Sequence, residues 1–437
     1  MVPLWHFPPF FSIVLALLEF MGLEALSAAR LLNIILFAGT IAITGLAIEM
    51  VTHSVGFSVF GALLSVLSVV LLEIHTAAMS EALYLFLALL GLIMLAYFHK
   101  KGSSALLILS AIVVGLAFLT RYVGIALVVT GALGLLLGSQ RGWLPRLRNL
   151  FLFLIISLLP MAIWMTRNVL VLGAPTDRTF AFRPIGLGFL RAGLNTILLW
   201  LAPGRIVNGR EVLILAVIST ALVVAAAIWL ARNRWRWLRN LTWPTPGLPL
   251  LLAIYCATYL GAVLLARGLF DSLVPVDNRL LSPVHQAAII LLAVGLASLW
   301  KLKVWAFKLL SLGIAIAILV FYGIRAAGLM GYLYEQGLGY TSRGWHSSEG
   351  LQYVRSHPNV PIYTNAATAI YFWTGRVTYP IGNMSDLRKD AKENCAVVVA
   401  FNSIPLRLYN VTAEQLSEGT TVAEVNDALI YSPQRCG

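Results

Sequence analysis

The chain has 437 residues, of which 59% are hydrophobic and only 11% charged, with a mean hydropathy of +0.86. Soluble domains carry roughly 45–50% apolar and about 25% charged residues, so this composition excludes a soluble class and reads as a polytopic membrane protein. The net charge of +13 is scattered between apolar runs, which argues against a nucleic-acid surface and ties the basic residues to topology and anionic headgroups.

The first element runs from Phe10 to Met21, twelve residues without a break in apolar character except Ser12 and Glu19. Crossing a bilayer takes about 20 apolar residues, and runs of about 10–14 more often lie in the interface or re-enter. Pro8 and Pro9 suit the entry to a helix, where a missing N–H costs nothing. Ser12, Ala16 and Glu19 recur at helical spacing as one narrow polar-or-small stripe. The segment reads as a helix lying on the membrane surface with that stripe towards water or a cleft. The alternative is a short, tilted span with Glu19 near its end.

Ten apolar runs of spanning length follow, at 30–49, 56–72, 81–98, 105–120, 122–138, 150–172, 212–231, 248–266, 283–300 and 304–328. Segments 99–101, 141–148, 232–239 and 301–303 carry eleven Lys or Arg and no acid, and they follow every second run. The positive-inside rule assigns them to the cytoplasm. His75, the Thr120-Arg121-Tyr122 turn, the loops 173–211 and 267–282 and the polar tail then lie outside. An even number of spans puts both chain ends outside, which predicts either a further span upstream of Met1 or a first helix that does span. Before the tail, the outer basic residues are all Arg, from Arg121 to Arg279. Arg forms bidentate bonds with phosphate and Lys does not, so one or more of these is a phosphate-binding candidate. The competing explanation is a chain that prefers Arg throughout.

After about residue 331 the charges become mixed and the apolar runs short. Helices are predicted at 345–356, 366–374 and 385–394, strands at 360–363 and 396–401, and a closing hairpin at 421–425 and 428–431. This is a small α/β domain with enough chain for its own core. Asn383 and Asn410 begin glycosylation triplets, a frequent chance occurrence. Of three cysteines, Cys256 sits in an apolar run, while Cys395 and Cys436 would pair as a disulfide if the tail is extracytoplasmic. No Cys-x-x-Cys, His-Glu-x-x-His or clustered His spacing supports a metal site.

Charge inside a membrane is expensive and therefore marks function or pairing. Glu81 opens one run, Arg121 ends another, Arg167 lies near the outer end of a third, and Arg279 precedes a fourth. The topology places all four at the outer surface. Each alone would serve as an interfacial anchor or half of an Arg–Glu pair; together they point to one shared cavity.

The order of these motifs resembles that of the GT-C membrane glycosyltransferases, a superfamily that includes protein mannosyltransferases and lipid A aminoarabinose transferases. His6-Phe-Pro-Pro is similar to the family's Pro-Pro entry to a juxtamembrane helix, and Ala29-Arg30-Leu-Leu-Asn33 to the Arg-led start of the next span. Ser80-Glu81, the stretches 115–124 and 164–168, and Arg279 to Pro283 match recurring family stretches in the same order. Residues 340–345 and 362–376 look like the exoplasmic tail of a bacterial subgroup. The resemblance implies a helix bundle of about ten spans with a small C-terminal extracytoplasmic α/β domain. It divides the chain into a juxtamembrane helix of the first outer loop (1–29), the bundle (30–330) and the extracytoplasmic domain (331–437).

It further implies transfer of a sugar from a polyprenyl-phosphate donor to a glycan, lipid or protein acceptor at the outer face of the cell membrane. Arg121, Arg279 and Arg167 are then the candidates for lipid-phosphate contact, Glu81 a candidate assisting acid, and His6 and Glu19 cleft-lining residues. A divalent metal is implied by family analogy alone. The family's own acidic residue comes after a first span and before the Pro-Pro helix; only residues 1–7 precede that helix here, and none is acidic. The expectation is either that this span and acid lie upstream or that the protein is a non-catalytic scaffold. A secondary transporter is less well supported, because neither repeated halves nor midplane charge is present.

Overall fold

The computed structural model describes residues 7–138, 142–176, 178, 180–200, 247–270, 275–302, 304–381, 387, 389–390, 393–406, 411–418 and 420–433. The chain divides into two compact units, Met1–Gly328 and Leu329–Gly437.

The described residues of the first unit form helices α1 (Phe10–Phe20), α2 (Ala25–Thr52), α3 (Val55–Val66), α4 (Val69–Thr76), α5 (Ser80–Lys101) and α6 (Ser104–Thr120). A single 3-10 turn (Tyr122–Gly124) then leads into α7 (Ile125–Leu137), followed by α8 (Trp143–Leu172), α9 (Leu187–Leu198), α10 (Leu248–Leu269) and α11 (Asn278–Trp300). Helix α12 (Trp305–Gln336) runs past the division between the units. Among the described residues six helices, α2, α5, α8, α10, α11 and α12, are long and apolar enough to cross a membrane. Helices α3 and α4, bent by 54° between Val66 and Val69, meet the same test as a pair, the pattern of a broken span or a re-entrant loop. The chain is a multi-pass membrane protein.

Every expected apolar run on described residues is helical; the run 212–231 lies outside them. The structure corrects the run 56–72, which is two helices rather than one. Helix α8 begins before the expected 150 and carries Pro160 in its interior. Helices α6 and α7 are apolar but shorter than the six. Helices α5 and α11 are the most buried of the six and α12 the least, so α5 and α11 lie at the centre. Leu92, Leu107, Leu127, Leu251 and Ile290 are among the side chains fully enclosed there. With no hydrophobic drive between helices in lipid, close approach and hydrogen bonds hold them together. Ser110 Oγ donates to the Gly91 carbonyl at 2.9 Å, joining α6 to α5. Thr130 and Thr258 share a bond of 2.7 Å between α7 and α10, and Gln286 Nε2 donates to Thr44 Oγ1 between α11 and α2.

The expected surface helix is α1, which packs against α2 and α6. Phe10, Phe11 and Val14 turn towards the core, while Ser12, Ala16 and Glu19 are exposed. Phe20 is 93% exposed at its end. Eleven residues of helix are too few to cross a bilayer.

The second unit carries a five-stranded sheet in the order β2-β1-β3-β5-β4. The strands are β1 (Ile362–Thr364), β2 (Tyr379–Pro380), β3 (Val397–Phe401), β4 (Thr420–Val425) and β5 (Ala428–Pro433). β1 pairs in parallel with β2 and β3, and β5 runs antiparallel to β3 and β4. β3 is buried at every position, as its unbroken apolar run requires. The hairpin and the helix α15 (Ala367–Thr374) stand where expected, the helix stopping at Gly375 with φ +67°. The expected helix 345–356 is instead α13 (Arg343–His346) and α14 (Glu349–Ser356). Ser348 interrupts it by capping α14, its Oγ accepting from Leu351 N–H at 2.9 Å. The short α16 (Ala413–Ser417) and β2 were not anticipated. Half of the expected helix 385–394, and both glycosylation asparagines, lie outside the described residues. Cys395 is disulfide-bonded and Cys256 is free. Cys436 is outside the described residues.

Candidate functional site

Glu81 occupies the first turn of α5, where free N–H groups favour a carboxylate. It is only 5% exposed, so its charge has to be paired. Two guanidiniums do this. Arg121, in the break between α6 and the turn that leads to α7, places Nη1 on Glu81 Oε1 in a close ion pair. Arg279, in the first turn of α11, brings Nε to the same oxygen at 3.5 Å and to Asp277 Oδ2 at 4.0 Å. One carboxylate thus ties together three segments far apart in sequence.

The three residues are unequally exposed. The Arg121 side chain is 20% exposed and that of Arg279 45%. Among the described residues Arg279 Nη1 reaches only the soft Met79 sulfur, at 3.9 Å, so its fork is the more open part of the cluster. Asp277 caps α11 by accepting from Leu280 N–H at 2.9 Å, which fixes the turn carrying Arg279. Behind the cluster lie three buried tyrosines. Tyr84 and Tyr255 share a hydroxyl bond of 2.9 Å, and the Tyr259 hydroxyl donates to the Leu280 carbonyl at 2.7 Å. The last bond anchors the residue next to Arg279.

The structure therefore gathers Glu81, Arg121 and Arg279. Arg167 lies near the C-terminal end of α8, donating to Asn168 Oδ1 at 3.0 Å and resting over the Trp164 ring at 5.0 Å. Glu19 ends α1 with an exposed side chain. His6 lies outside the described residues. Among the described residues no three His, Cys, Asp or Glu side chains converge as a metal would need. Glu81 does not fit a divalent cation either, since two guanidiniums already hold its carboxylate.

A second polar centre was not foreseen. Ser68, Val69, Val70, Trp200, His285, Tyr322 and Arg325 line a small, partly open cavity of about 10 Å³, and the Glu81 cluster does not line it. Ser68 and His285 bond at 2.8 Å across 217 positions of sequence. Asn278, beside Arg279, receives Trp200 Nε1–H on Oδ1 and donates to Glu73 Oε2, both at 3.2 Å. Isolated polar residues in apolar runs were the available signal, but nothing in their spacing pairs them.

No protein-family model matches the sequence, and no curated protein matches it. Among solved structures, ArnT from Cupriavidus metallidurans bound to undecaprenyl phosphate superposes with a TM-score of 0.51 at 15% identity. The alignment covers 98% of this chain and 88% of that one. The apo state of the same protein aligns at 0.49 and 16% identity over the same shares. At that identity the likeness shows the fold alone: the chain shares the fold of that ArnT structure.

Proposed function

We propose that the chain is a membrane glycosyltransferase that takes a sugar from a polyprenyl-phosphate donor and passes it to an acceptor at the outer face of the membrane. The observation that carries this reading is the Glu81–Arg121–Arg279 cluster at the ends of three helices, in a fold shared with a protein seen with undecaprenyl phosphate bound. In sugar transfer from such a donor, the bond between the sugar's anomeric carbon and the phosphate oxygen breaks, and negative charge builds on the departing phosphate. A fixed cation at that point stabilises the transition state more than the ground state.

The unequal exposure of the two arginines supports a division of labour within the cluster. Arg279, the open guanidinium, makes the contact with the lipid phosphate, and Arg121 sits deeper as the charge behind it. Glu81 holds both in place. Both guanidiniums already engage the Glu81 carboxylate, so Glu81 acts as a positioning residue. The acceptor is a glycan, a lipid or a protein.

The test uses the full chain in detergent with a fluorescent polyprenyl-phosphate sugar, following release of polyprenyl phosphate. Arg279→Gln is expected to cut the rate by about 10²–10³, the cost of removing one oriented donor from developing charge. Arg279→Lys should recover part of it. Unchanged turnover in Arg279→Gln would overturn the assignment. Lipid binding without turnover towards any acceptor would instead favour a non-catalytic scaffold.

A further inference from the structure

We propose that the aromatic face built by Tyr340, His346, Phe372 and Trp373 on the C-terminal unit seats in the interfacial layer of the bilayer, against anionic lipid headgroups, at the end of α12. The proposal concerns contact with lipid and stands whether or not the chain transfers a sugar.

The rings hold one another in place. The Tyr340 ring lies 5.8 Å from that of Phe372 and 6.4 Å from that of Trp345. Phe372 meets Trp373 edge-on at 5.7 Å, and Trp373 meets His346 at 4.5 Å. Trp373 Nε1 donates to the Tyr340 carbonyl at 2.8 Å, which ties α15 to the turn that follows α12. Trp345 rests on Phe401 of β3 at 5.0 Å, and so joins the face to the core of the unit. Tyr340, His346 and Phe372 are nonetheless exposed.

Large apolar side chains are not exposed evenly over the unit. Among the described residues they run from Met330 and Tyr334 at the end of α12, through Tyr340, to Phe372 on α15 and Tyr379 on the edge strand β2. On β4, the opposite edge, only Val422 is exposed in this way. Exposed apolar groups gathered like this mark a surface that meets a partner or a membrane.

Two observations favour the bilayer as what covers the face. The first is covalent. Helix α12 is long and apolar enough to cross a membrane, and its residues 329–336 belong to the C-terminal unit. Counted from Lys308, the about 20 residues that fill the hydrocarbon bring the helix to Gly328. The final turns are then left for the headgroup layer, where exposed tyrosines such as Tyr332 and Tyr334 belong. Gly337 and Gly339, at φ +72° and +61°, stop the helix there. Tyr340 follows Gln336 by four residues, so it lies at most about 14 Å further on. The second observation is charge. Arg343 and Arg355 are exposed beside the rings, Arg355 with Nη2 on the Trp373 carbonyl at 3.2 Å. No acid occurs from Gln336 to Ser348 or on α15. Tyrosine and tryptophan beside arginine are the composition of a membrane interface, and anionic headgroups attract the basic residues.

The test is spin-label accessibility of the full chain in nanodiscs of phosphatidylethanolamine and phosphatidylglycerol. A nitroxide is placed at Phe372→Cys and, as the reference, at Glu424→Cys on β4, both with Cys256→Ser. Collisions are measured with oxygen, which concentrates in lipid, and with chromium oxalate, a trivalent anion confined to water. At Phe372 oxygen is expected to collide more often than at Glu424. The oxalate should collide about tenfold less often, since a surface potential of about −30 mV depletes a trivalent anion by at least that factor. Arg343→Glu, added to the Phe372 variant, should restore part of the lost oxalate access. If Phe372→Cys does not fold, Tyr340→Cys supplies the comparison. The proposal fails if oxalate reaches Phe372 as readily as Glu424, as it would on a face that meets a soluble glycan or protein. It fails equally if neither agent reaches Phe372, as on a face closed by the chain itself. Either failure would leave the contact between Arg279 and a lipid phosphate, and with it the proposed function, standing.

Discussion

Glu81 shows how one buried charge can hold a structure and bias a site together. Its carboxylate is nearly inaccessible, and the two guanidiniums on it come from segments 40 and 198 positions away in sequence. Removing one partner of a buried pair leaves the other uncompensated and costs about 3 kcal/mol. Glu81→Gln should therefore lower the apparent melting temperature in detergent substantially. Arg279→Gln should lower it little, because an ion pair on a half-exposed side chain contributes about 0–1 kcal/mol. The double change of Glu81 and Arg121 to Gln should be less harmful than the sum of its parts, as expected for residues in direct contact. Additive effects would mean that the two do not depend on each other. These residues were legible in the sequence because charge next to an apolar run has few explanations. His285 and Ser68 were not: a serine and a histidine in apolar runs cost little by themselves, and only the fold brings them within bonding distance.

At the scale of an element, the breaks matter more than the helices. The turn after α6 carries Arg121, and the backbone closes it with Gly124 N–H on the Arg121 carbonyl at 2.8 Å. A Cβ at Gly124 would lie 2.5 Å from the Cα of Phe118 and 2.9 Å from its nitrogen. Those are backbone atoms and have no rotamer to yield. Gly124→Ala should open the turn, shift Arg121 off Glu81 and cost about 1–3 kcal/mol as an overpacked contact. Gly323→Ala is the control, since nothing lies within 4 Å of that position and alanine favours a helix. A melting temperature lowered equally by both would refute the steric argument. Helix positions followed from length and apolarity, which the bilayer imposes on any span. The bend at Ser68 did not, because no proline or glycine marks it. It is set by Ser68 capping α4 and bonding His285, a tertiary choice among several serines in the same run. In the second unit β3 was plain from its run of apolar residues. β2 was not: its two residues join the sheet edge in parallel, a pairing that leaves no local pattern.

For the whole molecule the governing question is which face of the membrane meets the Glu81 cluster. The proposed orientation, argued from the basic segments that follow every second run, has Lys101 in the cytoplasm and the C-terminal unit outside. Cysteine substitutions test this directly. Lys101 and Glu424 are both exposed, Cys395 is disulfide-bonded, and Cys256 is half-buried in α10, so the parent chain gives a low background. A membrane-impermeant maleimide applied to spheroplasts should label Glu424→Cys at once and Lys101→Cys only after permeabilisation. The cluster sits at the start of α5, with Lys101 at the far end of the same helix. Labelling of Lys101→Cys from outside would therefore turn the arginines to the cytosol. A polyprenyl-phosphate donor presented on the outer leaflet would then meet the wrong end of the bundle, and sugar transfer at the outer face would have no site.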